Sequence, residues 1–270
     1  VVSNGIFKGK NLNELIEQFP VELLGTSVFN RFGKQFPLLF KYLDAREDLS
    51  IQVHPNDALA EKRHHSLGKT EMWYVMQADK DARIIVGFKA DSSKDEYLKH
   101  IQDKKLLTIL NEVPVKKGDV FFLETGTIHA IGAGILLAEI QQTSDVTYRI
   151  YDFDRVDAQG NARELHIDLS LEAVNYQSNS SQIHYTSIEN TSTPVVDCLF
   201  FKTSVLPLKG VLSIEKTTDS FVVFMCTEGT FELHIDSDIY RYQAGDTVLV
   251  PAILTTFSIS GTATILEVTV

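Results

Sequence analysis

In KGDVFF, residues 117–122, a glycine–aspartate pair stands directly before an apolar run, and the chain then turns towards Ile128-His129. A similar arrangement returns near the C-terminus, where AGDTVL at residues 244–249 leads through Pro251 towards Phe257. A tight turn that feeds a short apolar strand is typical of all-β folds. Because the arrangement occurs twice, we predict two related β-barrels, of which only the first ends in a histidine.

Short apolar or alternating runs fill most of the chain around these two stretches. In the first two thirds they are Ser50–His54, Met72–Met76, Arg83–Phe88, Val120–Leu123, Ile135–Ile140 and Asp145–Tyr151. In the last third they are Asp197–Leu206, Phe221–Cys226, Thr230–Ile235, Thr247–Val250, Thr255–Ile259 and Ala263–Val268. Glycine, aspartate and proline separate the runs, as expected for strands and turns. Many short strands at even spacing predict a mainly β fold, a sandwich or a barrel.

Helical patterns are few. Asn11 and Glu14 have the spacing of a capping box before an apolar face, and Pro20 is expected to end that helix. Ser93 and Glu96 repeat the arrangement, so we predict a small helical insert at residues 93–111. One more helix is predicted at residues 170–175. The polar stretch 177–182, rich in Ser and Asn, is the candidate linker between domains at residues 1–182 and 183–270.

The composition excludes several classes of partner. The net charge of −11 over 270 residues argues against nucleic acid, because phosphate backbones bind basic surfaces. No apolar run approaches the roughly 18 residues of a membrane span. The two cysteines, Cys198 and Cys226, have no framework spacing, so we expect free thiols and a cytoplasmic location. Residues 1–10 do not resemble a secretory signal, and since the chain opens with Val1 we expect native residues upstream.

Five side chains with metal-binding or charged groups fall on neighbouring strands. Gln52 and His54 are two residues apart and therefore share one face of a strand. Lys69 and Glu71 share a face in the same way, and His129 can add a second imidazole from a nearby strand. Two nitrogens and two oxygens suit Zn²⁺, although Fe²⁺, Mn²⁺ and Co²⁺ would also fit. The QxH pattern alone is equally typical of a solvated strand end.

Four motifs carry a resemblance to a known family. They are HPND at residues 54–57, GKTEMWY at 68–74, GTIHA at 126–130 and EIQQTSDVTYRIYD at 139–152. In this order they resemble the type I mannose-6-phosphate isomerases, most of all the short bacterial form, over almost the whole chain. These are zinc-dependent cupin enzymes that interconvert mannose 6-phosphate and fructose 6-phosphate. The resemblance implies a cupin fold, and together with the repeated turn it predicts two cupin-like jelly-roll barrels. We expect the second barrel to lack metal ligands, because it has no histidine at the corresponding place.

The resemblance also implies roles for particular residues. It makes the zinc ligands, one ion per chain, Gln52, His54, Glu71 and His129. Arg149 falls on the active-site arginine of the family, and Lys69 on the lysine of its motif. The family usually begins with a segment that bears a Trp-Gly-Gly motif, which this sequence does not contain.

Aldose–ketose isomerisation through a cis-enediolate needs a base, a cation for the oxyanion and a group that holds the phosphate. Arg149 could hydrogen-bond an enediolate oxygen or the phosphate, or it could simply pair with Asp152 or Asp154. Lys69 could move protons between oxygens or hold the anionic substrate. Glu139 is the best remaining carboxylate for the proton on carbon, because an inward carboxylate on an apolar strand is costly without a partner.

Two other functions remain open from the sequence. An Fe²⁺ dioxygenase of the cupin class would use the same histidines and carboxylate, although Lys69 and Arg149 suit a phosphosugar better. A non-catalytic sugar-binding cupin would bind a ligand without converting it. The expected partner in the main interpretation is a small phosphosugar, with neither nucleic acid nor membrane.

Overall fold

The computed structural model describes all residues 1–270, and the fold is mainly β, as predicted. The chain forms two compact units, residues 38–184 and residues 1–37 together with 185–270. The sequence analysis divides the chain after residue 182, two residues before the structural boundary that follows His184. It also differs in residues 1–37, which group with the C-terminal unit.

Three short helices open the chain: α1 (Leu12–Gln18), α2 (Pro20–Leu24) and α3 (Thr26–Phe32). The capping box of Asn11 and Glu14 is formed, so the predicted start of α1 is confirmed. Pro20 ends α1 but also begins α2, because its missing N–H is not needed in the first turn of a helix. The helices α2 and α3 were therefore missed by the sequence analysis.

The unit of residues 38–184 contains two five-stranded sheets. Its strands are β1 (Leu38–Ala45), β2 (Ile51–Val53), β3 (Glu71–Ala78), β4 (Arg83–Phe88), β5 (Leu110–Pro114), β6 (Val120–Leu123), β7 (His129–Ile131), β8 (Ile135–Gln142), β9 (Tyr148–Tyr151) and β10 (Gln182–Ile183). One sheet has the order β1-β8-β3-β6-β10 and the other β5-β4-β7-β2-β9. Buried side chains from both sheets, among them Trp73, Ile84 and Leu137, pack into one cluster and hold the sheets together.

Helices of this unit are α4 (Asp57–His64), α5 (Lys94–Gln102) and α6 (Ile167–Ala173), with a 3-10 turn at Leu106–Thr108. The helical insert predicted at residues 93–111 is confirmed by α5 and this turn, and α6 lies close to its predicted place. Tyr97 and Leu106 of the insert pack on Ile51 and Ile150. The insert therefore covers the outer face of the β5-β4-β7-β2-β9 sheet.

The C-terminal unit contains one six-stranded sheet. Its strands are β11 (Thr193–Asp197), β12 (Lys202–Glu215), β13 (Val222–Ile235), β14 (Asp238–Gln243), β15 (Thr247–Val250) and β16 (Thr256–Thr269). The order is β11-β12-β16-β13-β14, and β15 pairs with β13. The N-terminal helices join this unit through the backbone, since Phe221 N–H donates to Leu24 O at 3.0 Å and Ala252 N–H to Leu23 O at 3.0 Å.

Several predicted strand bounds were wrong in the C-terminal unit. The run Asp197–Leu206 contains a turn, in which Cys198 N–H donates to Phe201 O at 3.1 Å. Conversely, the runs predicted at 221–226 and 230–235 form the single strand β13, and those at 255–259 and 263–268 form β16. A β-bulge between Cys226 and Glu228 keeps β13 paired through polar residues that resemble a turn in sequence.

The repeated Gly-Asp turn has the same structure in both units. Gly118 N–H donates to Val75 O at 2.8 Å, and Val75 N–H donates to Asp119 O at 2.9 Å. In the C-terminal unit Gly245 and Asp246 make the same two bonds with Cys226, at 2.9 and 3.0 Å. Both glycines have positive φ, 88° and 94°, which glycine adopts without strain. In each unit the residue that makes both of these bonds, Val75 or Cys226, borders a β-bulge.

The matching strands also have the same order, β1-β8-β3-β6 in one sheet and β12-β16-β13-β15 in the other. The two units can therefore be aligned by matching Val75 of β3 with Cys226 of β13. In this alignment Trp73, which is paired with Glu139, corresponds to Phe224, which is paired with Glu267. Two residues before Trp73, Glu71 corresponds to Val222.

Candidate metal centre

Two histidines present the same nitrogen to the interior of the unit of residues 38–184. His54 follows β2, and its Nδ1 lies 3.0 Å from Val146 O. His129 begins β7, and its Nδ1 lies 2.8 Å from Thr127 O. A carbonyl oxygen can only accept, so each Nδ1 carries the hydrogen and each Nε2 carries a lone pair. Both rings are therefore held in the tautomer that a metal ligand needs.

The carboxylate of Glu71, the first residue of β3, faces both lone pairs. Its Oε2 lies 3.5 Å from Nε2 of His54, and its Oε1 lies 3.3 Å from Nε2 of His129. Ligands of a tetrahedral ion at about 2.1 Å lie roughly 3.4 Å apart, so these separations fit one small cation. All three side chains are buried, and Glu71 Oε1 and His129 Nε2 have no hydrogen-bond partner. Buried acceptors that face one another without a proton between them fit a metal ion at their centre.

Burial shapes the protonation of these three side chains. Burial and the charge of Lys69 lower the pKa of His54 well below its ordinary value, and they lower the pKa of His129 to about 4. Burial and the charge of Glu139 raise the pKa of Glu71 to about 7, against the opposing effect of Lys69. Neutral imidazoles are the form that binds metal, and a cation would favour the ionised Glu71.

Gln52 lies on the strand next to His129, in a position to make a fourth contact. It pairs across the sheet with His129 on β7 and with Arg149 on β9. Directly paired residues of antiparallel strands project on the same face, so Gln52 lies between His129 on one side and Arg149 on the other. Its role as a ligand stays a prediction.

A network of buried charges adjoins the cluster. Lys69 Nζ contacts Glu71 Oε2 and lies 3.1 Å from His54 Nε2 and 3.9 Å from Glu139 Oε1. Glu139 is held on its other side by Trp73, whose Nε1–H donates to Oε2 at 2.9 Å. A cation bound by the histidines and Glu71 would take over the contacts that Lys69 makes with them.

Lys41 belongs to this network and was missed by the sequence analysis. Its Nζ donates to Glu139 Oε1 at 2.9 Å and to Gln141 Oε1 at 2.5 Å. The signal was an ammonium in the middle of the apolar strand β1, where alternation sets Lys41 on the face of Leu39. Burial opposes the ionisation of Glu139, but the charges of Lys69 and Lys41 hold its pKa below the ordinary value. Burial likewise opposes the charge of Lys69, while Glu71 and Glu139 raise its pKa.

Arg149 lies on β9 and makes no ion pair with Asp152 or Asp154. Its Nη1 donates to the backbone oxygen of Glu164 at 3.0 Å, and its Nε is buried without a partner. Asp152 is instead bound by Arg155 and Arg163. One edge of the Arg149 guanidinium is thus fixed by backbone, and a buried donor remains for another group.

The HPND motif joins the strand of His54 to the strand of Glu71. Asp57 Oδ1 accepts from Gly68 N–H at 2.7 Å and from Gln142 Nε2 at 3.0 Å, and Gln142 Oε1 accepts from Thr70 N–H at 2.9 Å. A Cβ at Gly68 would lie 2.7 Å from Asp57 N, so only glycine allows this close approach. These contacts fix residues 68–70 directly before Glu71.

The cluster His54, Glu71 and His129 is the only group of three or more His, Cys, Asp or Glu residues in the chain with metal-ligand spacing. None of the helices is long and apolar enough to cross a membrane. A mainly β unit with two imidazoles and one carboxylate converging between its sheets is the arrangement of a cupin metal site. The fold and the cluster therefore define the class.

Comparison with known proteins gives the family. Residues 2–90 match the family described as phosphomannose isomerase type I, catalytic domain, and residues 190–270 match mannose-6-phosphate isomerase, cupin domain. The chain is 40% identical to mannose-6-phosphate isomerase ManA of Bacillus subtilis over 97% of this chain and 82% of that protein. It is 38% identical to mannose-6-phosphate isomerase of Streptococcus mutans, over 97% and 81% respectively. The chain belongs to the type I mannose-6-phosphate isomerase family of enzymes.

Solved structures agree with this family. The crystal structure of mannose 6-phosphate isomerase from Bacillus subtilis matches with a TM-score of 0.90 and 34% identity, over 99% of this chain and 84% of that one. A variant of phosphomannose isomerase from Salmonella typhimurium has the same fold, with a TM-score of 0.76 over 96% of this chain and 84% of that one, at 18% identity.

Proposed function

We propose that this enzyme interconverts mannose 6-phosphate and fructose 6-phosphate with one Zn²⁺ held by His54, Glu71, His129 and Gln52. The observation that carries the proposal is the pair of fixed Nε2 lone pairs facing the Glu71 carboxylate, beside the buried charges of Lys41, Lys69 and Glu139. The names of the relatives supply the substrate class. A divalent ion bound there supplies Lewis-acid polarisation of the substrate oxygens.

The side chains of the chain itself divide the remaining work. Glu139 accepts the carbon-bound proton, because Lys41 and Lys69 keep it ionised and Trp73 fixes its orientation. Arg149 hydrogen-bonds the oxygen on which charge grows as the cis-enediolate forms, through donors that Glu164 leaves free. Lys69 moves protons between the oxygens or holds the anionic substrate.

Electrostatics favour an anionic substrate at this place. The chain carries a net charge of −11, yet Lys41 and Lys69 adjoin the cluster, and Arg149 is paired with Gln52 on the strand beside it. A local excess of cationic groups attracts a phosphosugar against the field of the whole protein. A cytoplasmic location stays a prediction from the sequence.

A coupled assay with mannose 6-phosphate, run with and without a chelator, tests the proposal. We expect conversion that the chelator abolishes and Zn²⁺ restores. Binding without conversion would support the sugar-binding alternative, and turnover that depends on oxygen would support the dioxygenase. In deuterated water, the absence of label at C1 and C2 after many turnovers would contradict the enediolate.

Arg149→Lys tests the role of the guanidinium. Lysine keeps the charge but loses the two-pronged geometry, which typically costs about 3 kcal/mol, on the order of a hundredfold in rate. We expect the loss in kcat, with metal content and unfolding temperature nearly unchanged. A rise in KM alone would make Arg149 a phosphate clamp.

A further inference from the structure

Residues 152–166, here called the strap, leave the end of β9 and return to the start of α6. Their last residue, His166, pairs with Arg149 in both directions. Arg149 N–H donates to His166 Nδ1 at 3.0 Å, and His166 N–H donates to Arg149 O at 2.7 Å. The strap therefore closes on the strand position that carries the catalytic arginine of the proposed function.

The strap also fixes the Arg149 side chain. Arg149 Nη1 donates to the carbonyl oxygen of Glu164 at 3.0 Å, whereas its buried Nε has no partner. A guanidinium is planar, so fixing one of its nitrogens through a backbone oxygen restricts the directions of the others. The position of the Glu164 carbonyl therefore determines where the free donor of Arg149 points.

The neck of the strap is fastened by a buried carboxylate. Arg163 binds both oxygens of Asp152, with Nε at 2.7 Å from Oδ2, and Arg155 Nη2 lies 2.5 Å from Oδ1. Asp152 is 5% exposed, whereas the Arg163 side chain is about half exposed, so the carboxylate is the buried member of this pair. Arg163 directly precedes Glu164, and the clasp on Asp152 thereby holds the carbonyl that Arg149 uses.

The backbone of the neck turns sharply at the same place. Phe153 and Asp154 are both left-handed, with φ of 55° and 53°. Two successive non-glycine residues in this region persist only where their surroundings hold them. The exposed tip at residues 157–161, by contrast, is a turn whose hydrogen bonds all join Asp157 to Gln159, Gly160 and Asn161. The constraint is at the neck, next to Arg149, and not at the tip.

We propose that Asp152, Arg163 and His166 are positioning residues, which act by orienting the Arg149 guanidinium. The inference rests on the proposed function, because it assigns the strap to the same reaction. It predicts that breaking the neck lowers turnover through Arg149 alone.

Arg163→Gln, made in the wild-type chain and in Arg149→Lys, tests this directly. In the wild-type chain we expect kcat to fall roughly tenfold or more, as for a misplaced catalytic group, with KM and metal content unchanged. In the Arg149→Lys background the same change should cost less than about twofold, since residues that act as a unit are not additive. Arg163→Lys should restore part of kcat. Arg83→Gln, which removes an exposed ion pair with Glu112, is the matched control and should leave kcat unchanged.

A second pair of variants covers the case in which Arg163→Gln fails to fold. His166→Asn keeps an acceptor for Arg149 N–H, whereas His166→Leu removes it. We expect His166→Leu to lower kcat and His166→Asn to retain most of it. Hydrogen exchange of the Arg149 amide should be faster in His166→Leu and in Arg163→Gln than in the wild-type chain.

Equal losses from Arg163→Gln in both backgrounds would overturn the proposal, as would unchanged Arg149 exchange. If the wild-type chain does not convert mannose 6-phosphate, the proposed function fails instead, and the amide exchange alone decides whether the strap orients Arg149.

Discussion

The unit of residues 38–184 and the C-terminal unit share a strand order and a Gly-Asp turn, yet only one has a candidate metal centre. At matching register positions the first has Glu71 and the second has Val222. Glu139 corresponds to Glu267, but Lys41, the partner of Glu139 on β1, corresponds to Ser204 on β12. Shared turns and pairing build the scaffold, whereas a few inward side chains build the site.

The strands themselves also differ. In the C-terminal unit β12, β13 and β16 each run 14 residues without a break. In the unit of residues 38–184 the longest strands, β1, β3 and β8, have eight residues, and His54 and His129 stand where strands end or begin. Interruptions allow the backbone carbonyls of Val146 and Thr127 to bond the imidazoles. In an unbroken strand the backbone carbonyls are instead used in hydrogen bonds to the neighbouring strands.

The largest expected effect is on the metal ligands. His54→Ala and His129→Ala should each lose bound metal and activity almost completely. Removing a residue that only hydrogen-bonds a metal ligand already costs roughly 10–100-fold in metal affinity or activity, and removing the ligand itself should cost more. The control is His234→Ala in the C-terminal unit, whose Nε2 bonds Ser260 Oγ at 2.7 Å. It should keep both, as measured by metal analysis and the coupled assay. If His54→Ala and His129→Ala both keep a full equivalent of bound metal, the ligand assignment is refuted.

The next largest effect is expected when a carboxylate is placed in the C-terminal unit at position 222, which corresponds to Glu71. Val222 is 2% exposed in an apolar cluster, so Val222→Glu buries a charge without a partner. We expect destabilisation of roughly 3–5 kcal/mol, the range for an uncompensated buried charge. Val222→Gln, of the same size without the charge, should cost less in urea unfolding. A metal-binding and stable Val222→Glu variant would mean that the two units differ less than proposed.

A smaller and equal effect is expected at the shared turn. Asp119 Oδ2 accepts from Lys116 N–H and Asp246 Oδ2 accepts from Gln243 N–H, each at 2.8 Å. Replacing either aspartate by alanine should cost about 1 kcal/mol, as for loss of this backbone hydrogen bond. The ion pair of Asp119 with the exposed Lys116 Nζ should add little, because solvent screens it. Replacement by asparagine keeps an acceptor and should cost less. Unequal shifts of the urea midpoint between the two alanine variants would show that the turns are not equivalent.

The smallest effect concerns pH. Hydrogen bonds from Arg163, and then those from Arg155, lower the pKa of Asp152 against the effect of burial. A depressed carboxyl pKa stabilises the fold above the unfolded value of about 3.9 and loses this effect as the pH falls through the folded pKa. The stability difference between wild type and Asp152→Asn should therefore be constant near neutral pH and shrink below about pH 4.

The exposed pair of Glu232 and Arg241 in the C-terminal unit serves as the comparison for Asp152. Glu232→Gln should give no resolvable change in stability, because solvent screens an exposed ion pair. A larger effect there than at Asp152 would contradict the view that the strap neck is a buried constraint.

Sequence patterns predicted some of these elements well. Arg83–Phe88 and Val120–Leu123 have the predicted bounds, because alternation and turn residues coincide at their ends. The helix α4 was missed, since only Ala60 of its residues is buried and no apolar face is visible. At the bulge near Glu228 the sequence predicts a strand end, because a polar Thr-Glu-Gly stretch resembles a turn.

The site could be predicted only in part. Period-two spacing put Gln52 with His54 and Lys69 with Glu71, and His129 was expected to join them from a nearby strand. Only the family resemblance made these residues a specific set of metal ligands. The place of Lys41 in the site could not be predicted from the sequence, because its partners Glu139 and Gln141 lie on a strand about 100 residues away. The neck contacts of Asp152 depend on two left-handed residues that no local pattern indicates.

Metal reconstitution tests the central claim most directly. The chain is stripped with a chelator, Zn²⁺ is returned in steps, and isomerase activity is measured against bound metal per chain. The account predicts that activity rises in proportion to bound metal and reaches its plateau at one ion per chain. Full activity in the stripped chain, or a plateau only at two ions per chain, would contradict it.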